Sequence, residues 1–515
     1  MLKISAFLLY IPHICISKYY YLIKSKIAVL GAGFSGLSAA IHLAKNGNQV
    51  EVFEKHQVPG GRARQYSEQG FSFDMGPSWY WMPDVFDRFF KTYGYQTADF
   101  YELIRLDPAF RIYFGKDNFM DVPDKPEQLY ELFEQEEKGA ADQLKKFMKG
   151  AAYKYEVGVH DLIHRPSISV TEFLDVKLAL GALRLQLFNS FKKHVAQYFK
   201  SERLRQLMEF PVLFLGATPQ NTPALYSLMN YAGLMMGTYY PKGGFFSVIK
   251  GLEKLAVELG VEFHYNTEVE EIITDTKLAV AVKTSKRHQT FKGIISGIDY
   301  HFTEQNLLKP EYRNYTNNYW ESRTMAPSSL LFYLGVDKKI TEIEHHNLFF
   351  DEDFDRHAIE IYEKPQWPTA PLFYVCCPSK TDDTVAPQGC ENLFFLMPLA
   401  PGIRETEELR AQYFELLIER FEKITGVSIK NNIVYKKSYC VSDFVNDYGA
   451  FKGNAYGLAN TLKQTAILKP SLKNKKLPNL FYTGQLTVPG PGVPPSLISG
   501  QVAAKQLMLY LTKNQ

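Results

Sequence analysis

Gly31, Gly33 and Gly36, followed by a carboxylate at Glu54, have the spacing of a site that holds a dinucleotide by its phosphates. Gly31 permits a tight turn. Gly33 lets the backbone around Ala32, Phe34 and Ser35 approach a pyrophosphate, and Gly36 lets a helix pack closely on a strand. Glu54, eighteen residues beyond Gly36, is placed to accept hydrogen bonds from ribose hydroxyls. The elements that must position these groups follow from the pattern. Ile27 to Leu30 reads as a buried strand, residues 34–46 as a helix with its positive end toward the phosphates, and Glu54 as the close of the next strand. The plainer alternative is a strand-to-helix turn with no ligand.

A second element comes at once. Lys55-His-Gln-Val-Pro-Gly60-Gly61-Arg62-Ala-Arg64 offers two glycines where backbone can approach a ligand, and Arg62 and Arg64 can balance phosphate charge. An exposed turn with basic flanks is the alternative here. A Gly/Arg element this close to the first resembles the extended FAD motif of the amine-oxidase-like flavoprotein superfamily. The resemblance implies FAD as cofactor, with Lys55, Gly61 and Arg62 among its contacts. It also implies that the chain returns to the first unit near its end. Asn479-Leu-Phe-Tyr-Thr-Gly484-Gln485 reads as a short buried strand, and Ser496 to Leu511 as a helix after a proline-rich run. By resemblance, Gly484, Gln485 and Val493 lie along the flavin, although many relatives carry an acid where Gln485 stands. Val269 opens a strand after a helix at Phe245–Leu259 and a short strand from Gly260, and the resemblance to that superfamily implies that it contacts the adenine.

At 515 residues the chain can form two or three structural units, and a net charge of +3 with 22% charged residues gives no field for nucleic acid. Cys15, Cys376, Cys377, Cys390 and Cys440 form no C-x-x-C pair, so a reducing compartment and no metal site are expected. His345 and His346, being adjacent, are expected to point apart on a strand. The 33 Tyr and 37 Phe suit either a large core or a pocket for a long apolar ligand. Apolar runs at Ser328–Leu334, Pro371–Cys376 and Asn392–Met397 read as a second sheet, with an amphipathic helix at Glu405–Thr425.

Two stretches point to lipid. From Val176 to Ser201 there is no acid. Lys177, Arg184, Lys192, Lys193 and Lys200 accompany an apolar stripe of Leu180, Leu183, Leu187, Phe191 and Val195, which suits either a membrane interface or core packing. From Phe210 to Tyr240 no side chain is charged, but Pro211, Pro219 and Pro223 oppose a spanning helix and favour a buried or membrane-dipping cap. Residues 1–25 are expected to lie outside the fold, with a membrane anchor as the rival reading.

Gly70-Phe-Ser-Phe-Asp74-Met-Gly76-Pro77-Ser78, Phe210-Pro-Val-Leu-Phe-Leu-Gly216-Ala-Thr-Pro219 and Thr487-Val-Pro-Gly-Pro-Gly-Val-Pro-Pro-Ser496 resemble bacterial-type phytoene desaturases. That resemblance implies an α/β fold. A Rossmann-type FAD-binding domain (26–90, 242–300 and 476–515) would join a mixed-sheet substrate domain (91–160 and 301–475) and a helical membrane-facing cap (161–241). It implies desaturation of phytoene and partly desaturated carotenes to neurosporene or lycopene, with oxygen or a quinone as electron acceptor, by a cytoplasmic protein bound peripherally to the cell membrane. Such a hydrocarbon would lose on the order of 30 kcal/mol on entering water at ~0.8 kcal/mol per buried carbon group, so it must be drawn from lipid. Asp84, Asp299 and Glu304 are candidates for a proton acceptor by polarity only, and no catalytic residue is assigned. Alternatives are another carotenoid desaturase or isomerase of the same fold, such as a hydroxycarotenoid desaturase; an amine oxidase; or a lipid-binding relative like the GDP-dissociation inhibitors.

Overall fold

The computed structural model describes residues 24–169, 172, 185–186, 189–461 and 463–514. Its first layer is a five-stranded parallel sheet. The strand order is Leu480–Tyr482, Gly293–Ser296, Lys26–Leu30, Gln49–Phe53 and Glu262–His264, drawn from three distant stretches of chain. Both faces are covered, so the strands are near-continuous apolar runs; Ile27 to Leu30 are wholly buried. The helices Phe34–Lys45 and Val493–Lys513 lie together on one face. They touch at Gly500, where a Cβ would stand 2.2 Å from the Ser35 carbonyl oxygen. The C-terminal helix starts at Val493, three residues before the sequence expectation, because Pro494 and Pro495 fit a first turn whose amides need no helical partner.

The second layer is a seven-stranded mixed sheet: Ile433–Tyr439, Ser328–Val336, Glu391–Leu399, Phe373–Cys376, His346–Phe349, Phe110–Gly115 and Asn118–Val122. Side chains alternate across it. Leu330, Phe332 and Leu334 pack with Leu417 and Phe421 of the helix Glu407–Thr425. Leu331 and Tyr333 face the opposite way, toward the large core that also holds Trp81 and Phe210.

A further group of elements comprises the helix Ala140–His160, the helices Phe191–Ala196 and Glu202–Glu209, and a chain of short turns to Met235. Lys154, buried in the first of these, donates to the Ala224 carbonyl, Ser227 Oγ and Gln186 Oε1, which fastens helix to turns. Of the basic apolar stripe, Leu180, Leu183, Leu187, Lys177 and Arg184 lie outside the described residues. Phe191 and Val195 are wholly buried, and Lys192 is ion-paired with Asp355 at 2.5 Å, so Lys192 is not a free membrane-facing charge. The uncharged stretch after Phe210 is packed in protein: Phe210, Val212, Ala232 and Leu234 are buried. Among the described residues no helix is long and apolar enough to cross a membrane.

Candidate functional site

The three glycines of the first turn do three different things. Gly31 sits at φ +87° and its amide donates to the Phe53 carbonyl, which closes the turn onto the neighbouring strand. At Gly36 a Cβ would stand 2.0 Å from the Gly31 carbonyl oxygen, so helix and turn touch through bare backbone. At Gly33, which precedes the first turn of the helix, a Cβ would meet nothing within 4 Å: the space in front of it is open.

Glu54 is buried directly after its strand. Its Oε2 accepts from the Ala32 amide at 2.8 Å and its Oε1 from the His56 amide at 3.0 Å. The carboxylate thus pins the glycine turn. The second glycine element lies against the first. The Gly60 amide donates to the Ala32 carbonyl, and a Cβ at Gly61 would come within 3.4 Å of Gly33 Cα. Phe34 sets its ring edge-on to Phe245, and Gly484 approaches Ser35 Oγ so closely that a Cβ would stand 3.2 Å from it. Val493 is half-buried at the open end of the last helix, and Val269 is buried in the cluster that holds Ala28, Leu30 and Phe53. The structure thus brings the turn Gly31–Gly36, the Gly60–Arg62 element and Gly484 together, with open space in front of Gly33.

The two arginines separate. Arg64 is committed to an ion pair with Asp447 at 2.6 Å and lies over the Tyr448 ring, so it is not available to phosphate, contrary to the sequence expectation. The helix Val441–Tyr448 packs there and supplies the competing anion; Lys55 Nζ likewise donates to the Asn446 carbonyl. Arg62 keeps only a 3.2 Å bond to the Asn454 carbonyl, and its Nε is enclosed with no partner. Asn454, fully buried, also receives Gln485 Nε2 on its Oδ1 at 3.1 Å. It bridges two expected cofactor contacts from a loop whose sequence carries no motif.

None of the three candidate carboxylates is free. Asp84 accepts from the Tyr155 hydroxyl and contacts His160 Nε2. Asp299 caps the helix Tyr300–Asn306 through the Phe302 amide. Glu304, completely buried, accepts from the Asn314 and Tyr315 amides and the Tyr482 hydroxyl, and burial lifts its carboxyl to about 7. These are structural duties. His345 and His346 do not point apart: their ring centroids are 4.5 Å from each other, because His345 precedes the strand and escapes its alternation.

Residues 34–508 match the family of flavin containing amine oxidoreductases. Over 484 residues, 94% of this chain and 98% of the other, the sequence is 40% identical to the carotenoid 3,4-desaturase of Haloarcula japonica. Over 493 residues, 94% of each chain, it is 30% identical to a zeta-carotene-forming phytoene desaturase of Myxococcus xanthus. The chain belongs to the carotenoid and phytoene desaturases of the amine-oxidase-like flavoproteins. The chain also shares its fold with cyclohexylamine oxidase from Brevibacterium oxydans IH-35A, at a TM-score of 0.57 and 15% identity over 95% of this chain and 100% of that one. Its glycine opening fits the FAD of that family on two counts: the vacant space at Gly33 and the unpartnered, enclosed Nε of Arg62.

One buried cation of the chain was not singled out by its sequence. Lys469 has its Nζ 2.7 Å from Asn460 Oδ1 and abuts Gly490 in the loop before the last helix; burial pulls its ammonium down to about 7. Between about 7 and the ordinary 10.5 the unfolded chain holds a proton that the native one has lost, so this group's contribution to stability rises with pH through that window. Lys469→Met is accordingly expected to gain most, relative to the natural protein, below pH 7, and to lose that gain as pH rises toward 10.5. Thermal midpoints of both proteins at pH 6.5 and 9.5 check this; a pH-independent difference would show that Lys469 is not depressed.

Proposed function

We propose that this protein binds FAD and desaturates a carotenoid, and that its substrate is an already coloured acyclic polyene dehydrogenated at its 3,4 bond rather than phytoene. The single observation that carries this reading is the 40% identity, across nearly the whole of both chains, to a carotenoid 3,4-desaturase, against 30% to a phytoene-desaturating relative. Desaturation of phytoene to neurosporene or lycopene is the second reading, favoured by the motifs around Gly76, Gly216 and Pro489.

In this reading the backbone of Gly31, Ala32, Gly33, Phe34, Ser35 and Gly36 and the helix end behind them receive the pyrophosphate. Glu54 and Lys55 attend the ribose, Val269 the adenine, and Gly61, Arg62, Gly484, Gln485 and Val493 the flavin end. When bound, FAD supplies a two-electron acceptor for a hydride from an allylic carbon. The substrate has no group for a nucleophile or an oxyanion hole to grip, so the protein's own part is position and exclusion of water. Trp79, Trp81, Phe110, Phe210 and Tyr374 supply an aromatic wall for a polyene, with ring centroids 5.2 to 6.3 Å apart among their neighbours. The substrate's cost of transfer to water makes peripheral attachment to the cell membrane part of the proposal, with the helical region 161–241 as the cap through which lipid is met. Oxygen or a quinone would reoxidise the enzyme.

The test is incubation of the flavin-loaded protein with liposomes carrying either phytoene or an acyclic carotene such as lycopene, followed by pigment chromatography. Conversion of the coloured substrate with phytoene untouched is expected. The reverse would establish the second reading, and turnover of neither would remove both.

A further inference from the structure

The seven-stranded sheet carries a second chemical cluster that the desaturation does not use. His346 and Cys376 are directly opposite each other in the antiparallel pair His346–Phe349 and Phe373–Cys376, so their side chains share one face. His345 folds onto the same side. One nitrogen from each imidazole and the Cys376 sulfur all lie within 4.8 Å of one another, and all three residues are buried.

The two rings are held in a particular way. His346 Nδ1 is 2.6 Å from Tyr374 OH, which is itself 3.0 Å from Ser78 Oγ, and these contacts fix the orientation of the ring. His345 Nδ1 is 2.7 Å from Thr381 Oγ1, which orients the second ring alike. Neither Nε2 has a hydrogen-bond partner. Burial keeps both imidazoles neutral, His345 down to about 3. A histidine whose Nδ1 bonds an oxygen and whose Nε2 stands free is the arrangement that precedes metal ligation, and a buried ring nitrogen left without a partner costs ~1–3 kcal/mol unless something fills the space beside it.

What fills it must be small. His345 and Cys376 line a cavity of about 20 Å³, together with Asp74, Ser78, Tyr240 and Phe394. That is room for one water or one ion and not for the end of a polyene. A thiol adds little to the binding of water, but the thiolate left when an incoming ion displaces the Cys376 proton to solvent, against the burial that favours the thiol, is a strong ligand for a thiophilic ion.

We propose that His345, His346 and Cys376 form a binding site for a thiophilic divalent ion, for which zinc is the probe, in a three-ligand arrangement with its fourth position toward the cavity. Tetrahedral zinc places such ligands ~3.5 Å apart, so the side chains close by about 1 Å on binding. The ion would fix the ring of His346, on which Trp79 stacks at 4.1 Å and 12°, and so stiffen the floor of the aromatic wall.

The test uses tag-free full-length protein carrying its flavin, dialysed with zinc and freed of excess. Metal analysis is expected to find about one zinc per chain, falling at least tenfold in Cys376→Ser and His346→Gln, with flavin content unchanged. Zinc below one tenth per chain in the natural protein, or equal zinc in the variants, would overturn the site. Because a variant could fail to fold, cobalt titration of the natural protein provides a second reading: a thiolate-to-cobalt band in the near ultraviolet is expected, and its absence refutes the assignment. Variants that change carotenoid turnover with no metal bound to either protein would also refute it and would assign the two nitrogens to water. These readouts do not depend on which carotenoid is desaturated, so the site stands or falls separately from the proposed activity.

Discussion

Gly33→Val is expected to give a protein as stable as the natural one but with no flavin, while Gly36→Ala, a smaller change three residues away, is expected to be the one that destabilises the fold. At Gly33 the backbone is extended at φ −76° and ψ 179°, which any residue adopts, and a new Cβ touches no protein atom. The valine instead occupies the opening that a pyrophosphate needs. At Gly36 the new carbon would stand 2.0 Å from the Gly31 carbonyl oxygen, and backbone on both sides cannot swing away. The helix would have to lift from the turn, and the same helix is clasped at the Ser35 carbonyl by Gly500. Overpacking of this kind costs ~1–3 kcal/mol or more, a large part of the ~5–15 kcal/mol that holds a domain together. Circular dichroism and thermal melting separate the two outcomes, and flavin absorbance after gel filtration reads the cofactor. Flavin at natural occupancy in Gly33→Val would refute the placement of the dinucleotide. A thermal midpoint of Gly36→Ala equal to that of the natural protein would refute the close packing.

The same contrast explains what the sequence made legible. Turn, strand and helix around Gly31 are fixed within a few dozen residues by backbone sterics and apolar period, so they could be read without tertiary knowledge. The buried parallel strands announced themselves as continuous apolar runs, and the second sheet as shorter ones. What could not be read depends on partners far along the chain. Nothing near Arg64 says that Asp447 will claim it, and nothing near Lys192 says that Asp355 will. Asn454 joins Arg62 to Gln485 from a loop with no signature. His345 and His346 looked inert because strand alternation was extended one residue past the strand's true start. Cys376, thirty residues on, meets them only through cross-strand register, which spacing rules for metal ligands do not capture.

Arg62 is the residue at which apoprotein and flavin-loaded protein are expected to respond in opposite directions. Its side chain is half-buried, with Nε enclosed and unbonded, one neutral carbonyl at 3.2 Å, and the Tyr448 ring 4.9 Å from its guanidinium carbon. Asp299 supplies charge but no direct bond, and burial lifts that carboxyl to about 6. Such a cation is poorly compensated on its own, and replacing a poorly compensated buried charge by an apolar group of similar volume is often neutral or stabilising. Arg62→Met is therefore expected to leave the thermal midpoint of the apoprotein level or higher. With FAD present the balance reverses. A charge-assisted hydrogen bond to the cofactor is worth ~1.5–3 kcal/mol, so its loss should raise the flavin dissociation constant roughly 10- to 100-fold and lower the midpoint of the loaded protein. The pair of melts, with and without saturating FAD, together with a flavin titration, decides the matter. A fall in the apoprotein midpoint with unchanged flavin affinity would make Arg62 a structural post between Asn454 and Tyr448, and the enclosed Nε would then no longer speak for a ligand at this opening.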